Sequence, residues 1–452
     1  MSRRSFALVI ILLAAAGTAA AQEAPPQTGS VVSDAGLSAG GGRFRVKAEV
    51  KVNARDSRDV TFTVRNAQTP FPIELRTVSP TGGFEISNVA LTLEADITPQ
   101  IGGRAVVHFL DLYNRNPTSS DDRVFVREAW LRFGKKQEPL QAIPGTGLYL
   151  QLGKAPRFTK QVQRRLESYG LWGTAVGRFE EIGLEAGGSF GTHVYWRAAV
   201  ANGNPLFMRD ANALAGDNGT PERTIGSSVP VVYQSGFPIL YDAKANDTNF
   251  SGSVQAGGGL GFRFLGGEEE RRWGVDVVVW YFHRTLQARV PIRGSFYSGD
   301  LRLLQGSGGA APALPARGDT KEEWGGNLEA RWGRLQLYVQ GVHQEIAGLE
   351  RYGAEAELAY RFPLNGLFVS GDAPVLNWLQ PVVRYSRIVN NFEAAGFVAP
   401  SFFWDWTKLD FGFRLGIVRG IDLTAEYSRH SARTRLGLLH PDEFLTTLRL
   451  GF

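Results

Sequence analysis

The stretch that decides the fold is the carboxy-terminal run Glu443–Phe452, EFLTTLRLGF. In an extended chain successive side chains point to opposite faces, so this run has two distinct faces. One face carries Phe444, Thr446, Leu448, Leu450 and Phe452, and the other carries Leu445, Thr447, Arg449 and Gly451. The alternation predicts a terminal β-strand with one side toward an apolar medium and one toward water.

Similar alternating runs recur upstream, at 421–428, 409–415, 352–361 and 250–264. A tilted strand that crosses a bilayer needs about 9–11 residues, whereas a strand of a soluble sandwich has about 5–6. Because backbone groups in lipid must all be paired, such strands have to close into a barrel. The predicted fold class is therefore all-β: a transmembrane antiparallel β-barrel with long external loops and short periplasmic turns.

Counting back from Phe452, the alternation predicts sixteen strands. They fall near 443–452, 421–429, 407–418, 379–388, 351–361, 334–343, 324–332, 273–283, 250–264, 192–200, 181–190, 147–153, 124–133, 104–112, 84–95 and 43–52. An even number returns both termini to the periplasm. The interval 366–378 is long for a periplasmic turn. A carboxy-terminal Phe on an alternating strand resembles the signature that outer-membrane barrels present to their assembly machinery, so Phe452 is the expected contact.

The amino-terminal residues predict export. Arg3 and Arg4 precede an apolar stretch at 6–16 and a small-residue site at 19–21, which is the layout of a signal peptide cut after Ala21. Residues 22–42 are rich in Pro, Gly and Ser and predict a disordered periplasmic linker. The barrel is expected over 43–452, in the bacterial outer membrane. The chain contains no cysteine, which excludes a disulfide framework and a thiolate metal site.

Aromatic residues fall at both predicted interfaces, as in the girdles of membrane barrels. The predicted periplasmic set is Trp196, Trp332 and Trp378, and the external set is Trp324, Phe402, Phe403, Trp404 and Trp406.

The connection between the predicted fifth and sixth strands, 154–180, is basic. Its cations are Lys154, Arg157, Lys160, Arg164, Arg165 and Arg178, against Glu167 and Glu180. In channels with sixteen strands this connection commonly folds into the barrel. A basic cluster in a narrow, low-dielectric channel attracts anions. We therefore predict that this segment forms a constriction that binds anions.

Three stretches carry a resemblance to the phosphate-selective porin O and P family. They are Leu152–Phe158 (LGKAPRF), Arg178–Gly183 (RFEEIG) and Tyr195–Gly203 (YWRAAVANG). The family has a similar strand that ends in Gly-x-x-Lys/x-Pro-Phe and a similar strand that ends in Val-x-Asn-Gly. The resemblance implies a sixteen-stranded, trimeric porin with a basic internal eyelet. The family's usual Pro-Phe-x-x-Glu run is replaced here by Pro156–Lys160.

A second basic row lies on the predicted first strand. Arg43, Arg45, Lys47 and Lys51 share one face with Glu49. The row either lines the pore or is balanced by carboxylates of neighbouring strands, such as Asp422 and Glu426. Arg127 shares the parity of outward Phe125, Ala129 and Leu131, which predicts a position at the outer rim or beside a β-bulge.

The function expected from these features is passive diffusion of small anionic solutes, phosphate or similar oxyanions, into the periplasm. The six histidines are scattered, so neither a catalytic dyad nor a metal site is expected. No cofactor is expected, and no nucleic-acid motif is recognisable. Expected partners are outer-membrane lipid and two further copies of the chain, with Gly257–Leu260 as a possible subunit contact.

Three alternatives to an anion channel stay open at this point. A general or sugar-passing porin is the closest, because Tyr169 and Trp172 lie in the same segment as the arginines. A structural barrel that conducts nothing and an outer-membrane enzyme are less favoured.

Overall fold

The computed structural model describes most of the chain after the amino-terminal region. The described residues are 36–57, 61–65, 72–76, 83–111, 124–136, 138–142, 145–161, 163–207, 223–224, 231–234, 239–243, 254–267, 272–287, 300–305, 314–364, 367–370, 373–392, 405–434 and 437–452. The predicted signal peptide and the linker up to residue 35 lie outside them.

Within the described residues, sixteen antiparallel strands form one closed barrel. They are β1 (Phe44–Ser57), β2 (Gly83–Thr98), β3 (Ile101–Asp111), β4 (Phe125–Gly134), β5 (Gly147–Ala155), β6 (Glu181–Phe190), β7 (Val194–Ala201), β8 (Gln255–Gly266), β9 (Trp273–Thr285), β10 (Thr320–Trp332), β11 (Leu335–Ile346), β12 (Leu349–Tyr360), β13 (Trp378–Asn390), β14 (Asp405–Val418), β15 (Ile421–Thr434) and β16 (Glu443–Gly451). Each strand pairs with the next, and β16 pairs with β1. The predicted fold class is confirmed, and every predicted strand overlaps an observed one.

The two faces of the barrel differ in chemistry as the alternation predicts. On β14, Phe411 and Phe413 are exposed on the outer face, whereas Asp410 and Arg414 are buried on the inner face. Charged side chains on a lipid face are destabilising, whereas the lumen of such a barrel is polar. The outer face therefore lies in lipid, and the chain is an outer-membrane barrel.

The barrel closes at its two chain ends. The backbone N–H of Ala48 donates to the carbonyl of Phe452 at 2.6 Å, and the N–H of Phe452 donates back at 3.0 Å. Below that point, the short strand Leu37–Ala39 pairs with β1 from Phe44 to Val46. The end of the linker that we predict to be disordered therefore forms a β-strand. This strand makes a hairpin with β1 and pairs with residues of β1 that β16 does not contact.

Four connections at the end that carries the termini are short. Turns lie at 99–100, 191–193, 333–334 and 419–420, and we assign this end to the periplasm. In the long interval after β12, Phe368–Ser370 and Ala373–Val375 form a small hairpin outside the barrel sheet. That interval therefore does not disturb the strand count.

Minor elements complete the described fold. Phe362–Pro363 pairs with β13, and Gly437–Leu439 pairs with β15. Leu206–Phe207 pairs with Tyr241–Asp242, while Thr61–Arg65, Pro72–Arg76, Arg223–Thr224 and Val231–Gln234 form a four-stranded sheet. Helices α1 (Leu171–Ala175) and α2 (Asp300–Gln305) are short. Among the described residues, no helix has the length and apolarity needed to cross a membrane.

The aromatic girdles are observed in part. Trp324 and Trp332 are exposed at opposite strand ends, and Trp196 and Trp378 are partly exposed. The predicted interface position of Trp406 is wrong. This residue is only 2% exposed, and its indole N–H donates to Nδ1 of His430 at 3.1 Å. The reason is strand parity, because Trp406 shares the inner face of β14 with Asp410. Phe402, Phe403 and Trp404 lie outside the described residues.

The glycines of β8 make room inside the barrel. A Cβ on Gly257 would lie 2.2 Å from the ring of Phe282, and one on Gly261 would lie 2.0 Å from the ring of Tyr195. Of the stretch 257–260, only the outward positions can therefore serve the predicted subunit contact.

Candidate pore constriction

Residues 156–180, here called the inward segment, leave β5 and return to β6. The backbone N–H of Leu171 donates to the hydroxyl of Ser386 on β13 at 3.0 Å. Lys408 on β14 donates to the carbonyl of Tyr169 at 2.7 Å. In a closed sheet of sixteen strands, β13 lies eight positions from β5. The inward segment therefore reaches the inner face of the opposite wall.

Apolar packing holds one side of the inward segment against the wall. A Cβ on Gly353 of β12 would lie 1.9 Å from the indole of Trp172, so this position must be glycine. Trp172 is 2% exposed and belongs to a buried cluster with Leu171, Phe158 and Phe282. Burial of large aromatic side chains contributes strongly to stability, so this contact fixes the position of α1.

Glu167 joins the inward segment to the seam of the barrel. Its carboxylate accepts from the ammonium of Lys51 on β1 at 3.0 Å and forms an ion pair with Arg449 on β16. Burial alone would raise the pKa of Glu167, but Arg449, Lys51 and Arg164 outweigh burial and hold this pKa well below the ordinary range. The carboxylate is therefore charged in both of its ion pairs.

Two of the six predicted constriction residues are buried anchors. Arg157 contacts Glu323 at 2.8 Å and Glu181 at 3.3 Å. Arg165 contacts Glu357 at 2.7 Å and the amide oxygen of Gln336 at 2.8 Å. Their charges are neutralised by wall carboxylates, so they hold the segment in place rather than present free charge to the pore. This corrects their predicted role.

The predicted constriction role of Lys154 also differs from what the structure shows. It lies on β5 with the parity of Leu148 and Leu150, both of which are exposed on the outer face. Its ammonium donates to the backbone carbonyl of Val126 at 2.9 Å. Lys154 therefore does not join the cations of the inward segment.

The remaining cations converge with Arg127 on Tyr169 and Glu180. The guanidinium carbons of Arg164 and Arg178 lie 3.7 Å and 4.9 Å from the centre of the Tyr169 ring. Lys160 and Arg127 contact the carboxylate of Glu180 at 2.9 Å and 3.0 Å. We call Arg127, Lys160, Arg164 and Arg178 the basic cluster.

Arg127 reaches this cluster because β4 contains a β-bulge. Val106 pairs with Glu128 and Val107 pairs with Val126, so Arg127 is the extra residue. The prediction of a bulge is confirmed. The predicted outward position of Phe125 is wrong, because the bulge reverses the parity and Phe125 stacks on buried His108, with ring centres 5.4 Å apart. Bulges often re-aim a side chain toward a site.

Arg45, Lys47 and Lys51 pair with carboxylates of β2, of β1 itself and of the inward segment. Arg45 contacts Glu94 at 3.1 Å and Asp96 at 3.3 Å, and Lys47 contacts Glu94 at 3.6 Å. Lys51 lies 3.5 Å from Glu49 and is bound to Glu167. The carboxylates named from the sequence are engaged elsewhere: Asp422 binds Arg414 at 2.7 Å, and Glu426 accepts from Ser168. Arg43, the first residue of the row, lies just before β1, and its carbonyl accepts from the N–H of Asp96.

The basic cluster shifts the ionisation of both groups at its centre. Burial opposes the charged form of Glu180, but Arg127 and Lys160 lower its pKa to about 2. Burial also opposes ionisation of Tyr169, but Arg164, Arg127, Lys160 and Arg178 lower its pKa to about 7. The cluster therefore has a positive potential strong enough to overcome desolvation.

Fold and interior together define a class: an outer-membrane β-barrel of sixteen strands with a charged interior that one basic segment enters. Solved structures of similar fold include OmpF of Salmonella typhi in complex with daunomycin (10% identity, covering 92% of this chain and 100% of that chain, TM-score 0.48). The outer membrane channel DcaP of Acinetobacter baumannii is similar at 11% identity (92% and 100%, TM-score 0.46). OprB of Pseudomonas putida is similar at 9% identity (90% and 94%, TM-score 0.44).

All three likenesses have TM-scores below 0.5. No protein-family model matches the chain, and no curated protein sequence matches it significantly. The resemblance to the phosphate-selective family therefore stays a prediction.

Proposed function

We propose that the protein is a channel for passive diffusion of small anionic solutes, phosphate or similar oxyanions, into the periplasm. The observation that carries the proposal is Arg164. Among the described residues it has no carboxylate within ion-pairing distance, and its guanidinium stacks on the partly exposed Tyr169. A cation left uncompensated inside a barrel concentrates anions around it.

We expect the solute path to run along the inner faces of β1 and β3. On this wall the side chains of Arg45 and Arg104 are 41% and 37% exposed. On the far wall Arg384 and Asp410 are 1% and 0% exposed, because the inward segment covers them. We therefore expect solutes to pass the side of the inward segment that carries Lys160 and Arg164.

The cluster combines two kinds of cation. Arginine binds oxyanions through a planar fork, whereas lysine acts as a point charge on a flexible stem. A conducting pore needs binding that is favourable enough for entry and weak enough for exit. Several moderate contacts in series meet this need better than one deep site.

A general or sugar-passing pore is the second candidate, based on Tyr169 and Trp172. Trp172 is buried against Gly353, and only 2% of it is exposed. Tyr169 is covered by two guanidinium groups. These contacts favour an anionic solute over a sugar, which needs an open aromatic face.

The test is a reversal potential in a planar bilayer under a salt gradient. The parent is expected to be anion-selective, and K160Q/R164Q is expected to shift toward cations. The control R272Q/R334Q removes the same number of charges near periplasmic turns and should keep the parent's selectivity. A cation-selective parent, or a variant that matches the parent at low salt, would overturn the proposal.

The oligomeric state and the membrane insertion of the channel also belong to the proposal. We propose a homotrimer in outer-membrane lipid, inserted by barrel-assembly machinery that recognises the strand ending at Phe452. The resemblance of three sequence stretches to a trimeric family supports the trimer, and the exposed outer position of the Phe452 ring supports recognition.

A further inference from the structure

A second connection enters the barrel from the periplasmic end. It joins β4 to β5, and its described residues are 135–136, 138–142 and 145–146. We call these residues the inner turn. Turns elsewhere at this end, such as 333–334 and 419–420, have two residues, so the inner turn is longer than strand connection requires.

Three contacts hold the inner turn to inner-face side chains. The ammonium of Lys136 lies 2.7 Å from the carboxylate of Glu185 on β6. Arg263 on β8 donates to the carbonyl of Gln141 at 2.7 Å. The backbone N–H of Leu140 donates to Asp276 on β9 at 3.3 Å. The turn thus extends from β4 as far as β9 along the inside of the wall.

The wall residues that contact the inner turn are themselves held by further hydrogen bonds and an ion pair. The hydroxyl of Tyr149 donates to Glu185 at 2.6 Å, and that of Tyr195 donates to Asp276 at 2.5 Å. Arg263 also forms an ion pair with Asp276. Because Glu185, Asp276 and Arg263 are all buried, losing their partners would be costly. The anchors therefore position the turn firmly.

The backbone of the inner turn is strained at one residue. Leu140 has φ of 61°, a left-handed conformation that is unfavourable for a leucine. Its side chain packs over Gly274 on β9, where a Cβ would lie 3.1 Å from Cδ2 of Leu140. Such strain persists only where surrounding contacts impose it. The position inside the mouth is thus specified by packing as well as by charge.

We propose that the inner turn is a second restriction of the pore, which limits the size of solutes at the periplasmic mouth independently of the inward segment. This inference rests on the proposed channel function. Gln141 and Ala142 are exposed, and they present the surface that a passing solute meets at the mouth.

The test exploits the absence of cysteine from the chain. The variant Ala142→Cys is labelled in the bilayer with a bulky sulfonate-bearing thiol reagent added from the periplasmic side. A loss of single-channel conductance is expected on labelling. Arg334→Cys, in a two-residue turn at the same end, is the matched control and should keep its conductance when labelled.

A second variant replaces residues 138–142 with Gly-Gly. Neutral polymers of graded size are added to one side of the bilayer at a time. Excision is expected to raise the size cut-off from the periplasmic side and to leave the reversal potential unchanged. The cysteine variant keeps the inference testable if the excised barrel fails to fold.

The outcomes separate the two proposals. A parent that does not conduct overturns the channel function. A conducting parent whose labelled Ala142→Cys variant keeps full conductance overturns the second restriction and leaves the channel in place. An unchanged polymer cut-off after excision also overturns the second restriction.

Discussion

The carboxylate of Glu167 lies 3.0 Å from the ammonium of Lys51, which joins the inward segment to the first strand of the barrel. Arg449 of the last strand binds the same carboxylate. One buried acid therefore links the inward segment to both strands that close the barrel. The position of the basic cluster depends on this link, because Tyr169 and Arg164 lie within three residues of Glu167.

The first prediction concerns E167Q. Removing one partner of a buried ion pair typically costs about 3–5 kcal/mol, because the other charge stays buried and uncompensated. We expect a lower thermal midpoint in detergent and flickering single-channel currents as the inward segment loosens. E322Q, which alters an exposed pair with His283, should change little, since surface pairs contribute about 0–1 kcal/mol. Steady parent-like currents in E167Q would contradict the link.

The pH dependence of this link follows from the lowered pKa of Glu167. A carboxyl whose pKa is lowered by folding contributes its stability above its ordinary pKa and loses it as pH falls through the folded value. The inward segment should thus stay docked at pH 5. Loosening should begin only in stronger acid.

The second prediction separates anchors from pore cations. R157Q/R165Q removes as many charges as K160Q/R164Q, but its targets are buried against Glu323 and Glu357. We expect a lower thermal midpoint with a small change in reversal potential, the opposite of the expectation for K160Q/R164Q. Thermal melts and reversal potentials on both double variants provide the check. Equal shifts in selectivity would show that the anchors also face the path.

Much of the barrel could be predicted because strand parity is a local property. On β14, for example, charged Asp410 and Arg414 alternate with apolar residues, and this pattern predicts which face of the strand contacts lipid. The failure of the alternation at Arg127 predicts a position at the outer rim or beside a bulge, and the structure has the bulge there. Residues before a bulge reverse sides, so simple alternation back from Ala129 and Leu131 places Phe125 on the wrong face.

The roles of the basic residues could not be read in the same way. Arg157 and Arg165 are buried against Glu323 and Glu357, which lie 166 and 192 positions away along the chain. Lys160 is partly exposed and pairs with Glu180 nearby, and Arg164 has no ion-pair partner among the described residues. The amino-acid composition shows how many charges the segment carries but not which of them are neutralised by ion pairs. The inner turn cannot be predicted from the sequence, because its length does not show whether it folds into or away from the barrel. The contact between Leu140 and Gly274 is recognisable only once β9 is placed.

The third prediction concerns assembly. If the protein is a homotrimer, its mass in mild detergent should correspond to three chains, and heating should convert it to a single-chain species. A closed strand ladder resists denaturant, so unheated and heated samples should also migrate differently on a gel. A clean single-chain mass before heating would contradict the trimer without affecting the barrel.

The fourth prediction concerns pH and selectivity. The basic cluster lowers the pKa of Tyr169 to about 7, so Tyr169 is neutral in mild acid and becomes a phenolate in mild base. The phenolate places a negative charge beside Arg164 and Arg178 and offsets part of their field. Anion selectivity should therefore fall as pH rises through about 7, most clearly at low salt, since the Debye length is about 10 Å at 0.1 M and about 3 Å at 1 M.

Y169F isolates this effect from the titration of any other group. Phenylalanine keeps the ring on which Arg164 and Arg178 stack and removes the ionisable hydroxyl. Reversal potentials at pH 6 and pH 8 should differ in the parent and nearly coincide in Y169F, with Y169F resembling the parent at pH 6. If Y169F shows the same pH dependence as the parent, another group titrates near the path and Tyr169 stays neutral in the cluster. Because the comparison is made within one fold and at one salt concentration, it reports on the charge of the cluster rather than on the width of the pore.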